Sequence, residues 1–302
     1  MPVSQNAAAE RTESLWLKDA REARRWPISA PPLEDDQRCD VVVIGGGIAG
    51  LSIAFELAEA GRSIVLVDRG PLGGGMTGRT TAHLAPPCDD LLSELIDLRG
   101  EELARLHHRS HAAAVDRIEE IVSRHDVDCD FRRVAGNLFP ALGTPEKEAK
   151  EQIEKEFEAA SKLGVEVERA RGVPLDGHAD VPILRYPRQA TFHPLRYLEA
   201  LAKLASERGA RLHAHSPVLC LEEKDDEVTV TLENGKRIVA KDAVVATNSP
   251  INDLVAIHSK TAPYRTYAMA FELPGGALPD ALYWDMEDPY GSSGPPTATA
   301  GG

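Results

Sequence analysis

Hydrophobic residues in this chain fall into two rhythms, unbroken runs of four or five and stripes at helical spacing. Asp40-Val-Val-Val-Ile44 is a continuous β-branched run, which predicts a strand buried on both faces of a parallel sheet. A helix is predicted from about Ile48 to Ala60, stopped by Gly61, and Ser63-Ile-Val-Leu-Val67 predicts a second buried strand. Strand, helix and strand inside Asp40 to Asp68 make one right-handed βαβ unit. Farther on, Glu101 to Arg124 reads as a helix with Leu103, Leu106, Ala113, Ile118 and Ile121 on its apolar stripe. Pro145 to Leu163 reads as another, carrying Ala149, Ile153, Phe157 and Ala160, and Pro194 to Arg208 as a third, with Leu198, Leu201 and Ala205 inward. Glu227 to Leu232, Asn234-Gly235 and Arg237 to Ala240 predict a hairpin with a type I′ turn. Ala243 to Ala246 and Ala281 to Asp285 are further short strands, the last in need of neighbours.

The ends differ from the middle. Residues 1–38 read as a polar extension, with Pro27, Pro31 and Pro32 as a stiff link. Residues 291–302 are Gly, Ser, Pro, Thr and Ala only, which predicts a disordered tail. A chain of 302 residues fits about two domains. Its net charge of −14 repels phosphate backbones and anionic lipid, so nucleic acid is not an expected partner. The four cysteines are scattered with no close pair, which suits a reducing cytoplasm and offers no zinc site. The first 38 residues lack the apolar segment of a signal peptide. The longest apolar run, Val41 to Ala58, holds four glycines and Glu56, so no transmembrane segment is expected.

Chemistry enters at Gly45-Gly46-Gly47-Ile48-Ala49-Gly50, a GxGxxG placed between the first strand and its helix. Gly45 allows the tight turn, Gly47 lets the backbone approach a pyrophosphate, and Gly50 lets helix pack closely on sheet. The helix N-terminus then favours a diphosphate. Asp68 ends the second strand, where a carboxylate accepts hydrogen bonds from ribose hydroxyls. These residues predict dinucleotide binding; an acid here suits FAD or NAD and disfavours NADP.

Gly45 to Arg69, continuing through Gly73-Gly-Gly-Met-Thr-Gly-Arg-Thr-Thr-Ala-His-Leu-Ala-Pro86, resembles the D-amino-acid oxidase-like (DAO) superfamily of FAD-dependent oxidoreductases. The chain is most similar to members with a C-terminal Rieske [2Fe-2S] domain. Ser14-Leu-Trp16, Thr191-Phe-His-Pro194 and Ala243 to Pro250 add to the match. The resemblance implies an α/β fold: a Rossmann-like FAD-binding domain (39–130 and 194–250) with an inserted smaller mixed α+β substrate domain (131–193 and 251–290). It implies FAD as cofactor, with Gly45, Gly46, Gly47, Ile48, Ala49 and Gly50 on the diphosphate and Asp68 and Arg69 at the adenosine ribose. Thr77, Thr80, Thr81 and His83 would run past the diphosphate and ribityl chain, and Val218 and Thr247 would close the adenosine side. The segment Thr80 to His83 is also similar to one that carries a covalently flavinylated histidine in dimethylglycine dehydrogenases, but the neighbouring residues differ. The implied reaction is hydride transfer to flavin from a C–N or C–O bond of a small amine, amino acid or hydroxy acid; the electron acceptor is left open.

In the superfamily the chain returns to the FAD domain with a glycine-rich turn and helix after the substrate-domain strands. This sequence lacks that segment and the Cys-x-His ligand pairs of a Rieske centre. The expectation is a truncated gene product, or one whose last residues are read in a shifted frame. A non-catalytic remnant or binding module, and an NAD(H)-dependent dehydrogenase, stand as alternatives. Tyr264, Arg265 and Tyr267, alternating on a strand, are candidates for the substrate wall, and Arg132 and Arg133 for binding a substrate carboxylate. His107 and His111 have the i, i+4 spacing of a two-His site, but no third ligand can be named and no metal is expected.

Overall fold

The computed structural model describes residues 13–23, 28–87, 90–249, 251, 267–287 and 292–293. In chain order its elements begin with α1 (Leu15–Glu22), β1 (Gln37–Ile44), α2 (Ile48–Glu59), β2 (Ile64–Val67) and a 3-10 turn (Met76–Arg79). Then come β3 (His83–Leu84), α3 (Leu92–Arg99), α4 (Glu101–Arg124), β4 (Arg132–Phe139), α5 (Glu146–Leu163), β5 (Glu168–Arg171) and β6 (Pro182–Thr191). The chain continues through α6 (Pro194–Glu207), β7 (Arg211–His213), β8 (Val218–Lys224), β9 (Glu227–Leu232), β10 (Arg237–Val245), β11 (Ala281–Asp285) and β12 (Ser292–Ser293). They form two compact units, one of residues up to Thr81 with Pro194–Ala268, the other of Ala82–His193 with Met269 onward.

The first unit is an α/β sheet in the order β7-β2-β1-β10-β9-β8. β7, β2, β1 and β10 run parallel, while β9 and β8 are antiparallel additions. β1 and β2 are apolar without alternation because both faces are covered: Val42, Ile44, Val65 and Val67 pack with Val230, Leu232 and Ile238. α2 buries Leu51, Ala54, Phe55 and Ala58, the three- and four-residue spacing of one helical face. It ends at Gly61, whose φ of 78° the missing side chain permits.

Three local expectations change here. Arg237 to Val245 is one strand, whose first half pairs with β9 while its whole length pairs with β1. The hairpin turn is not type I′. Gly235 alone takes positive φ, and its N–H donates to the Leu232 carbonyl at 2.9 Å, a type I turn closed by a left-handed glycine. Residues 28–36 are not a linker. Leu33 is fully buried in the sheet core, its N–H donating to Ser216 Oγ and its carbonyl accepting from Asn234 Nδ2.

The second unit is a sheet ordered β12-β11-β4-β6-β3, with β5 also pairing β6. On one face α3, α4 and α5 enclose Leu92, Ala104, Ile153, Ala160, Leu138, Leu184 and Tyr186. These contacts draw residues 82–130 into this unit instead of the nucleotide unit, and the second break falls after Ala268 instead of after 250. The inward face of α4 carries Ala104, Val115 and Ile121, whereas Leu103 and Leu106 are exposed. β11 finds its neighbour in β4, with which it runs parallel. Within the expected tail, Ser292–Ser293 pair with β11 and the remainder lies outside the described residues.

Glu156 is a buried carboxylate on α5 that accepts the N–H groups of Leu92 and Ser93 at 2.8 and 3.0 Å, capping α3, whose own N-cap Leu91 offers no oxygen. Burial raises its pKa despite these bonds. The folded chain therefore holds this proton more tightly than the unfolded chain. Its contribution to stability is complete below the unfolded value and is lost as pH rises through the raised value. Glu156→Gln should remove that dependence: as pH rises from about 4 through the raised value, the stability of wild type relative to the variant should decline in denaturant melts. Leu33→Ala should cost about 2–5 kcal/mol of unfolding free energy, whereas the exposed Leu142→Ala should stay within about 0.5 kcal/mol.

Candidate functional site

The candidate site gathers at the C-terminal ends of β1, β2 and β10. Gly45 leaves β1 with φ 111°, its N–H donating to the Val67 carbonyl at 2.8 Å. The Ala246 N–H donates to the Ile44 carbonyl at 2.8 Å, which brings the chain after β10 against the turn. A Cβ at Gly45 would lie 2.3 Å from the Ala246 carbonyl oxygen, and a Cβ at Gly50 would lie 1.8 Å from the Gly45 oxygen. Backbone fills both places. Gly47 differs: its φ is ordinary, and a Cβ there would meet only Thr77 Oγ1, at 3.3 Å. Gly47 is thus a residue whose lack of a side chain the protein's own packing scarcely requires.

Gly47 provides no side-chain cap for α2. Ile48 N–H donates to Thr77 Oγ1 at 3.0 Å and Leu51 N–H to the Gly47 carbonyl at 3.0 Å. The other first-turn N–H groups lack intrahelical partners, so the helix end carries partial positive charge suited to an anion. Asp68 lies beside it. Its Oδ2 accepts Gly46 N–H at 2.6 Å and its Oδ1 accepts Gly70 N–H at 2.8 Å. A carboxylate has about four acceptor positions, so each oxygen keeps a lone pair for a ligand hydroxyl. Gly73 N–H donates to the Gly46 carbonyl, tying the following loop to the turn.

The other expected residues divide. The Ser216 N–H donates to the Asp68 carbonyl at 2.7 Å and that of His215 to the Gly70 carbonyl, so the strand entered at Val218 starts beside the acidic residue. Thr247 follows Ala246 against Gly45. Arg69, Thr80 and Thr81 are exposed. His83 belongs to the second unit, opposite Thr191 on β6, where burial lowers its imidazole pKa. Tyr264 and Arg265 lie outside the described residues. Tyr267 lies in none of the described strands: it sits in an irregular stretch and is 89% exposed.

Arg132 and Arg133 are not free for a substrate carboxylate. Arg132 makes a two-pronged pair with Asp280, at 2.8 and 3.2 Å, and Arg133 binds Glu119 and Asp116. The His107 and His111 rings lie tilted at 54° with centroids 4.2 Å apart, but no group of three or more His, Cys, Asp or Glu side chains among the described residues could hold a metal ion. No described helix is long and apolar enough to cross a membrane. The sequence reading missed Gly70, whose N–H orients Asp68; only its position two residues on, in the reach of an Asx-type turn, could have pointed to it.

The pattern of the FAD dependent oxidoreductase family, DAO, matches residues 40–293. The chain belongs to this family. FAD is the family's cofactor. YhfW of Bacillus subtilis (strain 168), which carries the name of a Rieske 2Fe-2S iron-sulfur protein, is 29% identical over 288 residues, 95% of this chain and 54% of that protein. Gamma-glutamylputrescine oxidoreductase of Escherichia coli (strain K12) is 27% identical over 225 residues, 74% of this chain and 52% of that one. Among solved structures, glycine oxidase from Geobacillus kaustophilus aligns with a TM-score of 0.58 at 21% identity, over 70% of this chain and 55% of the other. This member of the DAO family thus spans about half the length of these relatives.

The three glycines should separate folding from binding. Gly45→Ala and Gly50→Ala drive a Cβ into backbone and should cost about 1–3 kcal/mol or more, read as a lowered unfolding midpoint. Gly47→Ala should cost under about 1 kcal/mol yet weaken FAD, measured by flavin fluorescence titration.

Proposed function

We propose that this chain holds FAD and forms the cofactor-binding part of an oxidoreductase that oxidises the C–N bond of a small amine or amino acid. The observation that carries this reading is Gly47, where an added Cβ would press on the Thr77 hydroxyl but on no backbone, beside an unsatisfied helix end and a half-satisfied acid. Two linked phosphates need backbone N–H donors at close range, and a ribose needs an acceptor fixed one sugar's distance away. The backbone from Gly45 to Gly50 would bind the diphosphate. Asp68 would bind the adenosine ribose, its orientation fixed in advance by Gly46 and Gly70 so that little ordering cost falls on binding. Thr77 would add its hydroxyl to the phosphate donors, Thr80 and Thr81 would follow the ribityl chain, and Val218, Thr247 and Arg69 would border the adenosine.

Bound FAD supplies the redox chemistry, taking up the substrate's hydride, while the protein contributes orientation. A C–N substrate is supported by the names of two relatives, the E. coli gamma-glutamylputrescine oxidoreductase and a glycine oxidase from Bacillus licheniformis, 23% identical over 261 residues. A C–O substrate is the second reading. It is favoured by the anaerobic glycerol-3-phosphate dehydrogenase subunit A1 of Haloferax volcanii, 28% identical over 190 residues.

Protein purified after mixing with FAD should retain flavin at one equivalent, and acid release followed by chromatography should yield FAD. Release of NAD, or colourless protein, would reject the assignment. Asp68→Asn should weaken FAD by about 10- to 100-fold, the worth of a charge-assisted hydrogen bond. Anaerobic mixing of the FAD-loaded protein with small amines, amino acids and hydroxy acids separates the two substrate classes by which of them bleaches the flavin band.

A further inference from the structure

The cofactor reading leaves Ser14-Leu15-Trp16 without a role, yet these residues are built onto the loop that carries Thr77. Ser14 is the N-cap of α1, its Oγ accepting Leu17 N–H at 3.2 Å. The same hydroxyl donates to the Gly78 carbonyl. Trp16, 5% exposed and the buried residue of α1, donates its indole N–H to the Thr80 carbonyl at 2.7 Å. A Cβ at Gly78 would lie 3.3 Å from the Leu17 side chain, so the helix rests directly on the 3-10 turn. One residue before Gly78, Thr77 Oγ1 accepts the Ile48 N–H at the head of α2.

α1 has eight residues. A helix of that length does not persist alone in water, so it forms only where it is docked. Docking in turn fixes two carbonyls of this loop, those of Gly78 and Thr80. Arg79 binds the Gly74 and Gly75 carbonyls at 2.9 and 3.0 Å, which holds the loop from within. The outer grip comes from α1.

We propose that Ser14 and Trp16 are positioning residues: together they clasp the loop 76–80 and hold Thr77 at the helix end where FAD is bound, without touching FAD themselves. The inference rests on the FAD reading. Its thermodynamic corollary is reciprocal: if the clasp strengthens FAD binding, FAD must strengthen the docking of α1 by the same factor.

The test uses the full chain in four forms: wild type, Trp16→Phe, which keeps an aromatic ring and loses the pyrrole ring with its N–H, Ser14→Ala, and Ser14→Thr as the rescue. FAD affinity is measured by flavin fluorescence titration, and α1 docking by trypsin cleavage after Lys18 and Arg21 with and without FAD. Each single variant should weaken FAD about five- to tenfold, the worth of one hydrogen bond, and Ser14→Thr should restore it. FAD should slow cleavage at both sites in wild type and less so in the variants. A merely structural α1 would lower the unfolding midpoint but leave affinity and FAD-dependent protection unchanged, and that result overturns the clasp. Wild type that takes up no FAD overturns the cofactor reading, and the clasp with it.

Discussion

Backbone crowding at the end of β1 governs the rest of this site. Three segments converge there: the turn out of β1, the first turn of α2 and the chain leaving β10. Their separation is so small that a Cβ at Gly50 or Gly45 would fall inside 2.4 Å of a carbonyl oxygen. That proximity brings the N–H groups of α2 next to Asp68, and at Gly47 it leaves only the Thr77 hydroxyl, and no backbone, within reach of an added Cβ. The same backbone then supplies the donors for a linked pair of phosphates.

Electrostatics and packing act together at Asp68. A carboxylate placed at the end of a buried strand is held by two backbone N–H groups, from Gly46 and Gly70, which belong to the two loops it lies between. The loop after Gly70 is itself tied back by Gly73 to Gly46 and by Thr77 to Ile48. The acid, the turn and the loop are therefore one hydrogen-bonded assembly, and displacing any one strains the others.

The βαβ unit was legible in the sequence because each part is local: a β-branched run, glycines at fixed spacing and an acid at the second strand's end. What stayed hidden depends on partners far along the chain. Leu33 stands among prolines and acids, and the Ser216 hydroxyl and Asn234 amide that hold its backbone lie 183 and 201 residues away. Arg132 looked available because its partner, Asp280, is 148 residues distant. On α4, Ile121 faces inward as its spacing predicts, whereas close approach of α3 and α5 selects the small Ala104 and leaves Leu103 and Leu106 outside. Ser14-Leu-Trp16 was visible as a match, but nothing local could reveal the carbonyls it binds.

β10 brings a consequence for how such a chain is made. β1 pairs with it from Gln37↔Ile238 to Ile44↔Val245, so the centre of the first sheet joins segments on either side of Ala82–His193, the first part of the second unit. A ribosome producing this protein releases β1, α2 and β2 long before the strand that completes them. Until Val245 emerges, β1 has an open apolar edge, and Gly45 lacks the Ala246 carbonyl that walls its turn. Within Ala82–His193, β4 and β6 can pair before β10 emerges, but β11 joins β4 only after it, so both sheets are completed late in synthesis.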